Sequence, residues 1–125
     1  GLREDLVAKI RRRELPIEVL AKTEALQDSL ASYQKKIGAS SRNRSAAFEL
    51  ALRSGRNYQA GDQVSYYITG TKRKVVAYEA ARLVSEWNPE NRDENVEYYI
   101  AKLDELAKKF EGFGSAPGGQ QDLFA

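Results

Sequence analysis

The sequence predicts an α+β fold: a helical N-terminal part, a small antiparallel sheet, a closing C-terminal amphipathic helix and a flexible tail. Three observations carry this. Apolar residues recur at helical spacing in the first half, one β-branched and aromatic run interrupts them at 64–69, and a long apolar stripe follows from Val96 to Phe110.

Leu2, Leu6, Val7 and Ile10 share one helical face, so residues 2–13 read as an amphipathic helix. Pro16 stops it, because the residue before a proline is pushed out of the helical region. The short apolar run 17–21 fits either a strand or a helical turn. Leu26, Leu30, Tyr33 and Ile37 place a second helix over 26–37. After the small residues of 38–41, a further helix is expected from about 43 to 54. Ser40 or Ser41 would cap it and Gly55 would supply the left-handed residue that ends it.

Residues 58–62 read as a turn into a strand at 64–69. Gly70 to Lys74 is a turn with three successive cations, and 75–78 reads as the returning strand of a hairpin. A third short strand is expected over 82–87, broken by Asn88-Pro89. Asp93 would cap the last helix. Val96, Tyr99, Ile100, Leu103, Leu106, Ala107 and Phe110 form its apolar stripe, and Gly112 and Gly114 end it. The chain divides into a domain over 1–111 and a Gly/Ser/Ala/Pro linker with a terminal motif over 112–125.

The chain of 125 residues has neither cysteine nor histidine, which removes disulfides, thiolate metal sites and the usual general base. No apolar run approaches the ~20 residues that cross a bilayer, so no membrane partner is expected. The N-terminus does not read as a signal peptide, and a cytoplasmic location is expected. The carboxylates fall in helical surface patterns, such as Asp93, Glu94 and Glu97 or Asp104 and Glu105, and read as solvated faces and caps. No phosphate-binding glycine loop of the nucleotide-binding types occurs.

The net charge of +2 hides an asymmetry. Residues 1–74 carry 15 Lys and Arg against 8 Asp and Glu, while residues 75–125 carry 5 against 10. A segregated basic half is the footprint of a nucleic-acid binder, or simply an uneven solvated surface. Within it, Lys35, Lys36, Arg42 and Arg44 surround an expected helix N-terminus, a place suited to phosphate. Lys72, Arg73 and Lys74 form a basic hairpin tip, either able to touch a phosphate backbone without reading sequence or simply a solvated turn. Most of the tyrosines read as core. At the end of the chain, Gln120, Leu123 and Phe124 form Q-x-x-L-F, which is either a chance string or a pattern in which two apolar side chains enter a pocket while the glutamine fixes register.

The order of short motifs resembles the thumb of family-B DNA polymerases. Pro16 to Lys22 resembles the opening segment, and Leu30 to Tyr33 and Ala46 to Gly55 resemble the helices that follow. Gly61-Asp62-Gln63-Val64-Ser65-Tyr66-Tyr67-Ile68 resembles the family's G-D-x-V-x-Y-x-I strand, and Asn88-Pro89, Asp93 and Tyr98-Tyr99-Ile100 resemble the stretch before its last helix. One departure is Arg44-Ser45, where the family often carries His-Val.

The resemblance implies a domain that holds primer–template duplex DNA by its backbone in replication or repair, with Lys22 joining the other cations at the phosphates. It implies no catalytic residue and no cofactor in this segment, since the family's catalytic aspartates and their Mg²⁺ lie upstream in the parent nucleotidyltransferase. The tail resembles the pentapeptide that binds the bacterial β sliding clamp. The same residues also fit a stand-alone DNA- or clamp-binding module without catalytic activity, or an interaction domain whose acidic half meets a partner.

Overall fold

A computed structural model describes residues 1–38, 44–113 and 124. Helix α1 spans Leu2–Arg11, followed by a single turn, α2, at Ile17–Leu20. Strand β1 is Lys22–Ala25, and helices α3 and α4 are Leu30–Ile37 and Ala46–Ser54. Strand β2 is Gln63–Ile68. The short helix α5 at Ala77–Ala80 runs into strand β3 at Ala81–Leu83, and a 3₁₀ turn occupies Val84–Glu86. Helix α6, Val96–Phe113, closes the fold. The expected α+β class holds.

The sheet is antiparallel in the order β1-β2-β3, with Tyr66 opposite both Lys22 and Leu83. The centre strand is the one the sequence marks most clearly. Val64, Tyr66, Tyr67 and Ile68 are all buried, so both faces of β2 are covered although Tyr66 and Tyr67 point oppositely. The Tyr67 hydroxyl donates to Asp93 Oδ1 at 2.5 Å and the Tyr66 hydroxyl to Glu24 Oε1 at 2.9 Å. Around these lie Ile10, Ile17, Leu20, Leu26, Leu50, Ala51, Leu83, Tyr99 and Leu103 in one core.

Several expectations are corrected. The helix expected over 26–37 begins only at Leu30, where the Ser29 hydroxyl accepts the Ser32 N–H. Residues 22–25 pair with β2 instead, and Leu26 extends that ladder through Asp62 O and Gly61 N. Helix α4 is capped by Ser45 rather than by Ser40 or Ser41, which lie outside the described residues. Gly55 does take the left-handed conformation, at φ 71°.

The expected strand at 75–78 is absent. Val76 is 50% exposed, residues 77–80 make a helical turn, and Thr69 closes the connection by bonding Ala80 O through both its N–H and its hydroxyl. The partner that returns along β2 is Ala81–Leu83, so the third strand starts one residue early and yields to the 3₁₀ turn. The cap of α6 is Asn95, whose Oδ1 accepts from Tyr98 N at 3.0 Å, not Asp93. Gly112 lies inside α6 rather than ending it.

Glu94 is not a solvated carboxylate. It is 1% exposed, 2.7 Å from Arg92 and 3.7 Å from Arg13, and it accepts from Trp87 Nε1 at 3.1 Å. Arg92 lies over the Trp87 ring and donates to the carbonyls of Arg13 and Leu15. It thereby holds the turn after α1, where Arg13 adopts the left-handed region at φ 56°. Farther along, Arg11 pairs with Glu97 at 3.0 Å and Arg3 with Asp104. Cations of α1 are thus laid against carboxylates of α6, and part of the charge asymmetry is consumed inside the fold.

Candidate nucleic-acid interface

Placement of the basic turn begins at Asn95, which is fully buried. Its N–H donates to Ile68 O at 2.9 Å, and its Nδ2 donates to Thr69 O at 3.1 Å and Lys72 O at 2.9 Å. One neutral amide therefore caps α6 and binds the turn after β2 from within. Gly70 makes the approach possible. Its φ is +102°, and a Cβ there would meet Asn95 Nδ2 at 3.3 Å. With the backbone gripped on the inside, the side chains of Lys72, Arg73 and Lys74 are all exposed. None of the three pairs with a carboxylate among the described residues, so their charge is available to an anion.

Other expected phosphate contacts are less free. Lys35 and Lys36 occupy the last turn of α3, where cations complement the helix dipole. Lys36 is 74% exposed and reaches Asp28 at 2.7 Å, and its hydrogen bond holds the Asp28 carboxyl below the usual carboxylate range. Lys35 is exposed. Arg44 is an internal strut. It sits 3.1 Å from Glu49, which also accepts from the Tyr33 hydroxyl, and 5.9 Å above the Tyr78 ring. Lys22 pairs with Glu24 at 3.0 Å. Arg42, Gln120 and Leu123 lie outside the described residues.

A groove of about 300 Å³ runs beside α6. Tyr66, Ile68, Tyr99 and Phe124 line it together with Lys22, Lys102 and Lys109. The Phe124 ring meets Tyr99 edge-on, with centroids 5.3 Å apart and planes at 74°. Tyr99 is fixed from behind, because its hydroxyl accepts the Ile68 N–H at 2.8 Å, and burial pushes its phenol well above the ordinary value. Tyr98 meets Tyr99 edge-on at 5.1 Å and carries the Lys102 ammonium over its own face.

The structure thus brings together Lys22 and Phe124, which the sequence assigns to different partners. Lys102 and Lys109, spaced seven apart on one face of α6, are not among the phosphate contacts expected from the sequence. Their only signal is that spacing, and it coincides with an ordinary solvated helix face.

The fold has a counterpart among solved structures. The chain shares its fold with part of a DNA polymerase. One match is to the family B DNA polymerase from the hyperthermophilic archaeon Pyrobaculum calidifontis, with a TM-score of 0.66 and 18% sequence identity. It covers 96% of this chain and 14% of that polymerase. No protein-family model matches the chain, and no curated protein matches it. Among the described residues, no helix is long and apolar enough to cross a membrane.

Proposed function

We propose that this chain is the thumb of a family B DNA polymerase, gripping the primer–template duplex by its sugar-phosphate backbone while the C-terminal Gln120, Leu123 and Phe124 bind a bacterial β sliding clamp. The observation that carries the reading is the fold shared along nearly the whole chain with a polymerase of that family. Support comes from the turn at Lys72, Arg73 and Lys74, whose backbone is held from inside while three exposed cations have no carboxylate partner among the described residues.

A polymerase must hold every sequence it copies. Contacts to phosphates serve that need, because they position a duplex without reading its bases. The parent would be a nucleotidyltransferase working at the nucleoid, with Mg²⁺ held by carboxylates of a separate catalytic domain. The thumb would supply duplex positioning, and the clamp would supply tethering, which raises local concentration without any new DNA contact.

Binding to a fluorescent duplex, measured from low to physiological salt, tests the reading. The expected result is affinity that does not depend on sequence and falls steeply as salt rises. Failure to bind duplex even at low salt would remove the grip from the proposal. Clamp capture is tested separately with Leu123→Ala and Phe124→Ala combined, which should abolish pull-down by the β clamp and leave duplex affinity unchanged. Equal capture by the double variant would remove the clamp from the reading.

A further inference from the structure

We infer that the groove beside Tyr99 is a docking site for the chain's own Phe124, so that the body of the domain competes with any partner for that side chain. The inference rests on the proposed clamp reading only in naming the partner.

The geometry comes first. The 5.3 Å centroid separation and 74° interplanar angle are those of a favourable edge-to-face aromatic pair. Phe124 packs against the main core cluster rather than against an isolated surface residue. The receiving ring cannot easily turn away, because Tyr99 is buried and its hydroxyl is bonded to the backbone of β2. Leu106 supplies an apolar wall on α6, and Lys22 and Lys102 rim the groove.

Connectivity allows the contact. From Tyr99 to Phe113 the helix rises about 21 Å. The eleven peptide links from Phe113 to Phe124 reach up to about 37 Å. The return to Tyr99 therefore needs no fully extended chain. Covalent attachment then presents Phe124 to the groove at an effective concentration on the order of millimolar. At that effective concentration a contact with a dissociation constant of about 1 mM is half populated.

The consequence is a tail with two alternative seats. The ring that lies on Tyr99 cannot also enter a pocket on another protein. A partner that needs Phe124 therefore binds with an affinity lowered by the fraction of tails already docked.

Nuclear Overhauser spectra of the intact 125-residue chain, with Phe124→Ala and Leu106→Asp variants, test this. Cross-peaks between the Phe124 and Tyr99 rings are expected in the intact chain, with Tyr98 and Tyr99 ring resonances shifted in Phe124→Ala. Leu106 is half-buried on the groove wall, so Leu106→Asp is expected to remove the cross-peaks and to tighten capture by the β clamp about 2- to 10-fold. Missing cross-peaks, or tyrosine resonances unmoved by Phe124→Ala, would overturn the docking. Cross-peaks with clamp affinity unchanged in Leu106→Asp would overturn the competition. Should the clamp bind neither form, the clamp reading falls, and the docking is still decided by the cross-peaks.

Discussion

Glu94 and Asn95 are neighbours in sequence and both are buried, yet they stabilise the domain by different physics. Glu94 is a charge that survives burial because Arg92, Arg13 and the Trp87 N–H surround it. Neutralising it leaves Arg92 without its counter-charge. Glu94→Gln is expected to cost about 3 kcal/mol, since breaking a buried pair strands the remaining ion. Urea unfolding followed by Trp87 emission would measure this at the network itself. Asn95 instead satisfies backbone: one amide serves the α6 cap and two carbonyls of the basic turn. Asn95→Ala is expected to cost about 2 kcal/mol, the sum of a lost cap and carbonyls left unmet. Hydrogen exchange at Gly70 to Lys74 should rise in the same variant. Neither role was legible beforehand. A Glu near a helix start usually faces water, and nothing in the sequence announces that Arg13, 81 residues away, will meet it.

At the scale of elements, the basic turn separates positioning from charge. Asn95 and Gly70 set its backbone, whereas Lys72, Arg73 and Lys74 carry its electrostatics. Replacing the three cations with alanine is expected to weaken duplex binding evenly across sequences. The slope of log K against log salt should decrease by about one for each phosphate contact removed. Fluorescence anisotropy over a salt series reads that slope, and an unchanged slope would show that the turn does not meet phosphate. The same scale shows where pattern reading succeeds. Strand β2 was legible because both faces are buried and its residues are β-branched or aromatic. Strand β1 was not, because Lys-Thr-Glu-Ala at a sheet edge is mostly exposed and carries no apolar alternation. Residues 75–78 carry the composition of a strand, but among the described residues no strand pairs with them.

The whole molecule ties a basic first half to carboxylates in and just before the last helix through Arg11–Glu97, Arg3–Asp104 and the Glu94 network. Three buried tyrosines lie across the same assembly, at the sheet and α6. Burial pushes the hydroxyls of Tyr66, Tyr67 and Tyr99 well above the ordinary value, with Glu24 and Asp93 adding to the effect on the first two. Below pH about 10, folded and unfolded chains both keep these protons, and full stability is present. Above it the unfolded chain ionises first, so stability falls as pH rises toward the folded values. The loss is about 1.4 kcal/mol per pH unit for each such tyrosine. Urea midpoints from pH 8 to 11 should show this decline, and Tyr67→Phe should make it shallower.

What the sequence determined by itself was local: the α+β class, the centre strand, the stripe of α6, the Gly55 stop and the order of motifs. Each depends on periodicity or backbone preference within a few residues. The tertiary structure decided which charges are available and which are spent. Arg44 and Lys22 are engaged with Glu49 and Glu24, while Lys72, Arg73 and Lys74 remain open. It also decided that Phe124 lies on Tyr99. A charge's worth depends on its distance to other charges and to water, and an aromatic ring's on what it packs against. Only the folded chain sets those distances.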